Sequence, residues 1–136
     1  MNAREIVDEA LRLVLAHDMA GFADLWAEDG VLEFPFATPD RQRRLVGRHA
    51  VRDHLRDYTD HVAPEEVTAL TVHLTTDPEV VVAEFEITGR LVPTGADYRM
   101  GYIAVVTARD GEITRYRDYW SPAAAGEIGF GGGAAA

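Results

Sequence analysis

Asp118 stands in the run Tyr116-Arg117-Asp118-Tyr119-Trp120, an acid set among aromatic residues. A lone carboxylate on an apolar face loses hydration, which raises its pKa toward neutrality. A carboxylic acid poised there both gives and takes protons, the work of a general acid/base. The competing reading is a surface aspartate paired with Arg115, Arg117 or Arg48. Which one holds depends on the face of its strand that Asp118 occupies. Tyr102 and Tyr58 are candidate donors of a hydrogen bond to an oxyanion developing on a substrate. His54 is a candidate second acid/base if it faces a pocket, and a solvated helix residue if it does not. The 5 histidines show neither H-x-H nor H-E-x-x-H spacing, so no metal site is expected. With 0 cysteines, thiolate catalysis, disulfides and cysteine-ligated zinc are excluded. The expectation is chemistry by side chains alone, with no metal or organic cofactor.

These groups need elements to hold them. Residues 3–16 carry Ile6, Ala10, Leu13 and Val14 at helical spacing, with Asn2 and Glu5 placed as a capping box. Asp18 is positioned to cap a second helix over 19–27, with Phe22, Leu25 and Trp26 inward. Glu28-Asp29-Gly30 reads as a turn. Residues 31–36 alternate as a strand with Leu32, Phe34 and Phe36 on one face, and Pro35 marks it as an edge or a bulge. A polar loop over 37–46 holds Arg41, Arg43 and Arg44. These could meet an anionic ligand or simply be solvated. A third helix is expected over 48–59, with Val51, Leu55 and Tyr58 inward, and Pro64 breaks the chain after it.

The period then changes from 3.6 to 2. Strands are predicted over 66–76, 80–92, 98–108 and 112–120, a four-strand antiparallel meander. Leu70, Val72 and Leu74 share one face of the first, and His73 lies on the other. Helices followed by a meander is an α+β order: a curved antiparallel sheet wrapped around three N-terminal helices. One domain is expected over 1–122, and the Ala/Gly-rich segment 123–136 reads as a tail. The register of the last hairpin decides the face of Asp118. A three-residue Arg109-Asp110-Gly111 loop pairs Tyr102 with Asp118 and puts both on the apolar face. A two-residue Asp110-Gly111 turn sends Asp118 to the opposite face.

The chain has 136 residues, with 23 acidic against 13 basic side chains and a net charge of −10. That balance disfavours duplex nucleic acid and anionic membranes, both of which attract excess positive charge. No apolar run approaches the roughly 20 residues of a membrane span. The N-terminus has no basic-then-apolar signal pattern, so a cytoplasmic location is expected.

The segments Trp26-Ala27-Glu28-Asp29-Gly30 and Gly47-Arg48-His49-Ala50-Val51 carry a family resemblance. So do Pro93-Thr94-Gly95-Ala96-Asp97-Tyr98 and Gly111-Glu112-Ile113-Thr114-Arg115-Tyr116-Arg117-Asp118-Tyr119-Trp120. Together they resemble the nuclear transport factor 2-like, SnoaL-like superfamily over residues 3–122. Its members include limonene-epoxide hydrolases, ketosteroid isomerases, polyketide cyclases and phenazine-biosynthesis A/B proteins. The resemblance implies a cone-shaped fold with a hydrophobic pocket, and it places Asp118 where relatives carry a catalytic acid. It also shows departures. The Arg and second Asp of the limonene-epoxide hydrolase relay fall on Phe85 and Ile87, unless a one-residue slip brings Glu84 and Glu86 there. The ketosteroid isomerase positions fall on Ala10, Phe34 and Tyr102 or Ile103.

In such a cone, Trp26, Phe34, Phe36, Leu55, Tyr58, Phe85, Ile87, Met100, Tyr116 and Trp120 are candidate pocket walls, and core packing is the alternative for each. The outer face carries Glu84, Glu86, Arg90, Arg99, Ile103 and Val105. The resemblance implies a homodimer through that face. The functional expectation is an acid/base enzyme of isomerase, cyclase or epoxide-hydrolase type. It would act on an apolar cyclic or polyketide-like molecule, with Asp118, Tyr102 and His54 as catalytic candidates. The alternatives are a non-catalytic ligand-binding or accessory dimer with a degenerate pocket, and a purely structural dimerisation module.

Overall fold

In a computed structural model describing residues 1–127, the chain runs α1 (Ala3–Leu15), α2 (Met19–Ala23), β1 (Trp26–Glu33), β2 (Arg44–Val46) and α3 (Arg48–Leu55). It continues through α4 (Tyr58–His61), β3 (Val62–Leu74), β4 (Val80–Leu91), β5 (Asp97–Arg109), β6 (Glu112–Tyr119) and α5 (Pro122–Glu127). The six strands form one curved, open sheet in the order β2-β1-β6-β5-β4-β3. Strands β3 to β6 are the expected antiparallel meander, β1 pairs parallel to β6, and β2 antiparallel to β1. The core lies between the helices and the inner sheet face. No described helix is long and apolar enough to cross a membrane.

α1 forms as its sequence dictates. Asn2 accepts from the Glu5 amide at 2.8 Å, and Glu5 accepts from the Asn2 amide at 2.9 Å. The helix buries Ile6, Val7, Ala10, Leu11, Leu13 and Val14.

Several boundaries differ from expectation. α2 ends at Ala23, so Trp26 and Ala27 belong to β1. Glu28-Asp29-Gly30 is an irregularity inside that strand, between the Trp26 and Val31 pairings with β6. β1 stops at Glu33, and the Ala37 amide turns back to the Phe34 carbonyl at 3.1 Å. Alternation is lost there, and Phe36 is 57% exposed instead of facing the core with Phe34. Part of the expected 37–46 loop is strand β2. The 48–59 helix is two pieces, because Asp57 (φ −105°, ψ 12°) leaves helical geometry ahead of α4. β3 begins at Val62 and passes through Pro64, which an edge strand tolerates. Its Leu70 and Leu74 are exposed, since no described helix covers the far end of this strand. α5 occupies the start of the segment read as a tail, and 128–136 lie outside the described residues.

The last hairpin uses neither predicted arrangement alone. Asp110 and Gly111 both have positive φ (55° and 79°), a two-residue turn joining Arg109 to Glu112. Left at that, Asp118 would face outward. Between the pairs Ala108–Ile113 and Thr107–Arg115, however, Thr114 is an extra, bulged residue. The bulge adds a second one-residue shift to that of the shorter loop, so Asp118 pairs with Ala104, two residues from the expected Tyr102 and still on the inner face. In the preceding hairpin, Tyr102 pairs with Phe85 and Ile87 with Met100, all on the inner face.

Candidate functional site

Asp118 is 0% exposed and is the one buried charged residue among those described. Neither of its carboxyl oxygens has a hydrogen-bond partner among the described residues. The arginines that would have made it a surface ion pair are elsewhere. Arg115 holds Glu33 at 2.5 Å, and Arg48 donates to Glu112 at 3.2 Å and to the Trp26 carbonyl at 2.8 Å. Arg117 faces outward beside Val105. Burial, with no compensating cation, pushes the Asp118 carboxyl well above the usual carboxylate range.

A cluster of phenols surrounds this acid. Tyr102 and Tyr116 come from the inner faces of β5 and β6, and Tyr58 from α4. Burial first, then mutual charge repulsion that includes Asp118, holds the phenols of Tyr58, Tyr102 and Tyr116 well above their ordinary values. The hydroxyls of Tyr58 and Tyr102 fall outside standard hydrogen-bond geometry, yet each alters the proton affinity of the other. Trp120 follows Asp118 on the same face, with its indole nitrogen buried and unbonded among the described residues. Tyr98, next to Met100 on the inward register of β5, completes the cluster. Sequence reading passed over it, although strict alternation back from Tyr102 already placed it on this face.

The other candidates separate. Phe85 stacks on Tyr102 with centroids 5.2 Å apart. Phe34 meets Trp120 edge-on at 5.1 Å and carries the half-buried His54 ring at 5.4 Å. His54 thus sits against Phe34, and burial accounts for the Asp118 shift without it. Trp26 is fully buried between Phe22 (5.1 Å) and Tyr116 (5.4 Å), a core residue. Leu55, Ile87 and Met100 are buried. Phe36 lies outside the core: it packs on Tyr119 at 5.0 Å and, with Phe85, Tyr102, Trp120, Ile103 and Glu84, lines an open groove of about 740 Å³. Among the described residues, the void between α1 and the sheet, lined by Ile6, Ala10, Ile87 and Tyr116, holds about 10 Å³. That is room for no more than about one water.

Glu84 and Glu86 lie on the outer face, bonded to His73 (2.6 Å) and Thr68 (2.6 Å), so no slip brings a second carboxylate inside. His73 is on that face as expected. Arg43 is spent on the Ala37 carbonyl at 3.0 Å. Among the described residues no group of three or more His, Asp or Glu is arranged to hold a metal ion.

A curved, open α+β sheet closed by helices is the nuclear transport factor 2-like fold, and the chain belongs to its SnoaL-like family, which matches over residues 7–116. YesE of Bacillus subtilis (strain 168), itself uncharacterised, is 40% identical over 136 residues, spanning 97% of this chain and 92% of YesE. A crystal structure of a provisionally named isomerase from Bacillus subtilis is 39% identical, with a TM-score of 0.86 over 96% of this chain and 97% of that one. A provisionally named polyketide cyclase from Xanthomonas campestris pv. campestris shares the fold. It has 22% identity and a TM-score of 0.74 over 88% of this chain and 90% of its own.

Proposed function

We propose that this protein is an acid/base enzyme of the isomerase, cyclase or epoxide-hydrolase type, acting on an uncharged, largely apolar cyclic or polyketide-like molecule. One observation carries the reading: a fully buried aspartate, with no ion pair among the described residues, in a cluster with the buried Tyr58 and Tyr102 hydroxyls and the Trp120 indole nitrogen, which have no hydrogen-bond partner among them. A charged substrate group would find no counter-ion there, whereas a ketone, enone or epoxide oxygen would find donors. Asp118 moves the proton. Tyr102 and Tyr58 stabilise oxygen charge as it develops. A ligand enters by displacing side chains that now fill the interior. The family and the isomerase name of the Bacillus subtilis structure are in keeping with this class.

Tyr102→Phe is expected to lower kcat roughly 10²-fold, with KM changed far less, because the lost donor acts mainly on the transition state. Steady-state kinetics on a panel of enones, epoxides and polyketide-like ketones tests this, and an unchanged kcat would remove Tyr102 from the mechanism. The second reading is a non-catalytic binding protein. Phe85 and Ile87 in the relay positions and the nearly filled interior favour it. Saturable ligand binding without turnover across the same panel would establish it.

The same proposal includes a homodimer through the outer sheet face, where Ile103 is 43% exposed beside half-buried Val105. Sedimentation at micromolar concentration should give twice the 15.0 kDa chain mass, and Ile103→Lys should return it to one. A wild-type monomer would end this part of the reading.

A further inference from the structure

Strand β3 is guarded along only half of its length. It pairs with β4 alone, so its other side presents backbone amides and carbonyls with no strand to meet them, a template for a further strand. The first half carries the devices that keep such an edge from pairing. Pro64 has no amide to give, and Glu65 and Glu66 put charge there. Extra residues break the ladder between Pro64 and Glu66 and between Val67 and Ala69. From Ala69 onward these devices stop. The ladder runs without interruption from Ala69 opposite Glu86 to Leu74 opposite Val81. Residues 67–76 hold no Asp, Glu, Lys or Arg, although such residues make up 26% of the chain. From Thr68 to Leu74 every residue is exposed except the half-buried Val72, and Leu74 is 74% exposed. Leu70, Val72 and Leu74 share the inner face, since they pair with Phe85, Ala83 and Val81.

We infer that this half-edge pairs, antiparallel, with the same half-edge of a second copy of the chain, about a two-fold axis through Val72. Two antiparallel strands related by a two-fold axis keep their inner faces on one side, so residues of like face oppose each other. With the axis at Val72, Val72 meets its own counterpart and Leu70 meets Leu74 of the second copy, in both directions. Thr71 meets His73 on the outer face. All three inner apolar residues thus find apolar partners. Moving the axis by one residue sets Leu74 opposite Thr68, or Leu70 opposite Thr76. Moving it by two sets Leu74 opposite Glu66, or Thr71 opposite Asp77. The sequence is therefore self-complementary about one residue. The lack of acids in the run also lets a chain of net charge −10 meet itself there without opposing like charges. The two six-stranded sheets become one continuous sheet. This contact is independent of the outer-face dimer, which uses Ile103 and Val105 two strands away. About seven residues of edge fall at the low end of specific interfaces, so the contact is weak and is read by trapping it and not by mass at micromolar concentration.

The chain has 0 cysteines, so a single introduced thiol reports the register. Opposed residues of an antiparallel pair have Cα atoms about 4.5–5.5 Å apart, within the reach of a disulfide. Val72→Cys, placed in the full chain together with Ile103→Lys to break the outer-face contact, should form a disulfide-linked dimer under mild oxidation with copper phenanthroline. Leu70→Cys alone and Leu74→Cys alone, in the same background, should yield roughly a tenth as much or less, because each thiol stands about 13 Å along the strand from its counterpart. An equimolar mixture of those two should link residue 70 of one copy to residue 74 of the other. Adding Leu74→Lys to the Val72→Cys chain should abolish its link, as edge lysines do. Equal linking at 70, 72 and 74 would mean random collision and would overturn the inference. So would no link at 72, including the case in which the edge amides of a monomer resist hydrogen exchange because the chain covers its own edge. A link at 72 that appears with Ile103 and vanishes with Ile103→Lys would overturn the edge contact and leave the outer-face dimer standing. A link at 72 in a chain that sediments as a monomer would support the edge while the outer-face reading fails.

Discussion

Asp118→Asn is expected to fold normally and to lose roughly 10²–10⁴-fold in turnover of the true substrate, the usual worth of a positioned acid/base. Asparagine fills the same space beside Ala104, Tyr102 and Trp120 but cannot give or take the proton. Ligand binding should change little, because the apolar walls remain. Stability should move the other way. The Asp118 carboxyl is raised by burial, so the native state holds its proton more tightly than the unfolded chain does. Its favourable contribution is fully present below the unfolded carboxyl value. It is lost as pH rises through the window up to the raised native value. Above that window the wild type carries an uncompensated buried charge and the variant does not. The variant should therefore equal or exceed wild-type Tm near and above neutral pH, with the two curves converging in acid. Carboxyl titration by NMR gives the native value directly. A titration in the normal carboxylate range, or an asparagine variant as active as the wild type, would put the binding-protein reading in front.

Trp26→Ala should cost about 3–5 kcal/mol, the range for truncating a large aromatic in a closed core. Trp26 is 0% exposed, touches the rings of Phe22 and Tyr116, and donates from Nε1 to the Val31 carbonyl at 3.3 Å. That bond spans the irregular stretch of β1, so the variant also loosens the parallel pairing of β1 with β6 that supports Tyr116 and Asp118. Against a net stability of about 5–15 kcal/mol, such a loss is a large fraction of the whole. Phe36→Ala is the contrast. Its ring is mostly exposed, and its removal should stay within about 0.5 kcal/mol, as for surface positions generally. Urea melts of both proteins decide the matter. Equal destabilisation would mean that Trp26 and Phe36 are not divided into core and surface as described, and a Trp26→Ala protein of wild-type stability would mean an unsuspected collapse of the core.

Sequence alone was enough for whatever depends on neighbours along the chain. The helical spacing of Ile6, Ala10 and Val14 and the Asn2–Glu5 capping box gave α1, because both are satisfied within a few residues. Alternation gave the inner faces of β4 and β5, because side chains on a strand change sides at every step whatever the strand pairs with. The motif ending at Asp118 pointed to the acid, and the α+β order to the layering. Where turn chemistry and strand pairing compete, local reading fell short. The Asp110-Gly111 turn is one residue shorter than predicted and Thr114 is one residue extra; each shifts the pairing by one, and the two-residue total leaves Asp118 inside. Nothing local marks Thr114 as a bulge: its place is set by β6 pairing with β5 on one side and with β1 on the other. The exposure of Phe36, and of Leu70 and Leu74 on β3, was equally hidden, since an apolar residue is buried only when another element covers it. Tertiary structure also decided the chemistry of Asp118. Three arginines within reach in sequence terms were available to neutralise it. The fold points them elsewhere, and it leaves the carboxyl among phenols drawn from α4, β5 and β6, where desolvation without a counter-charge among the described residues favours the protonated form.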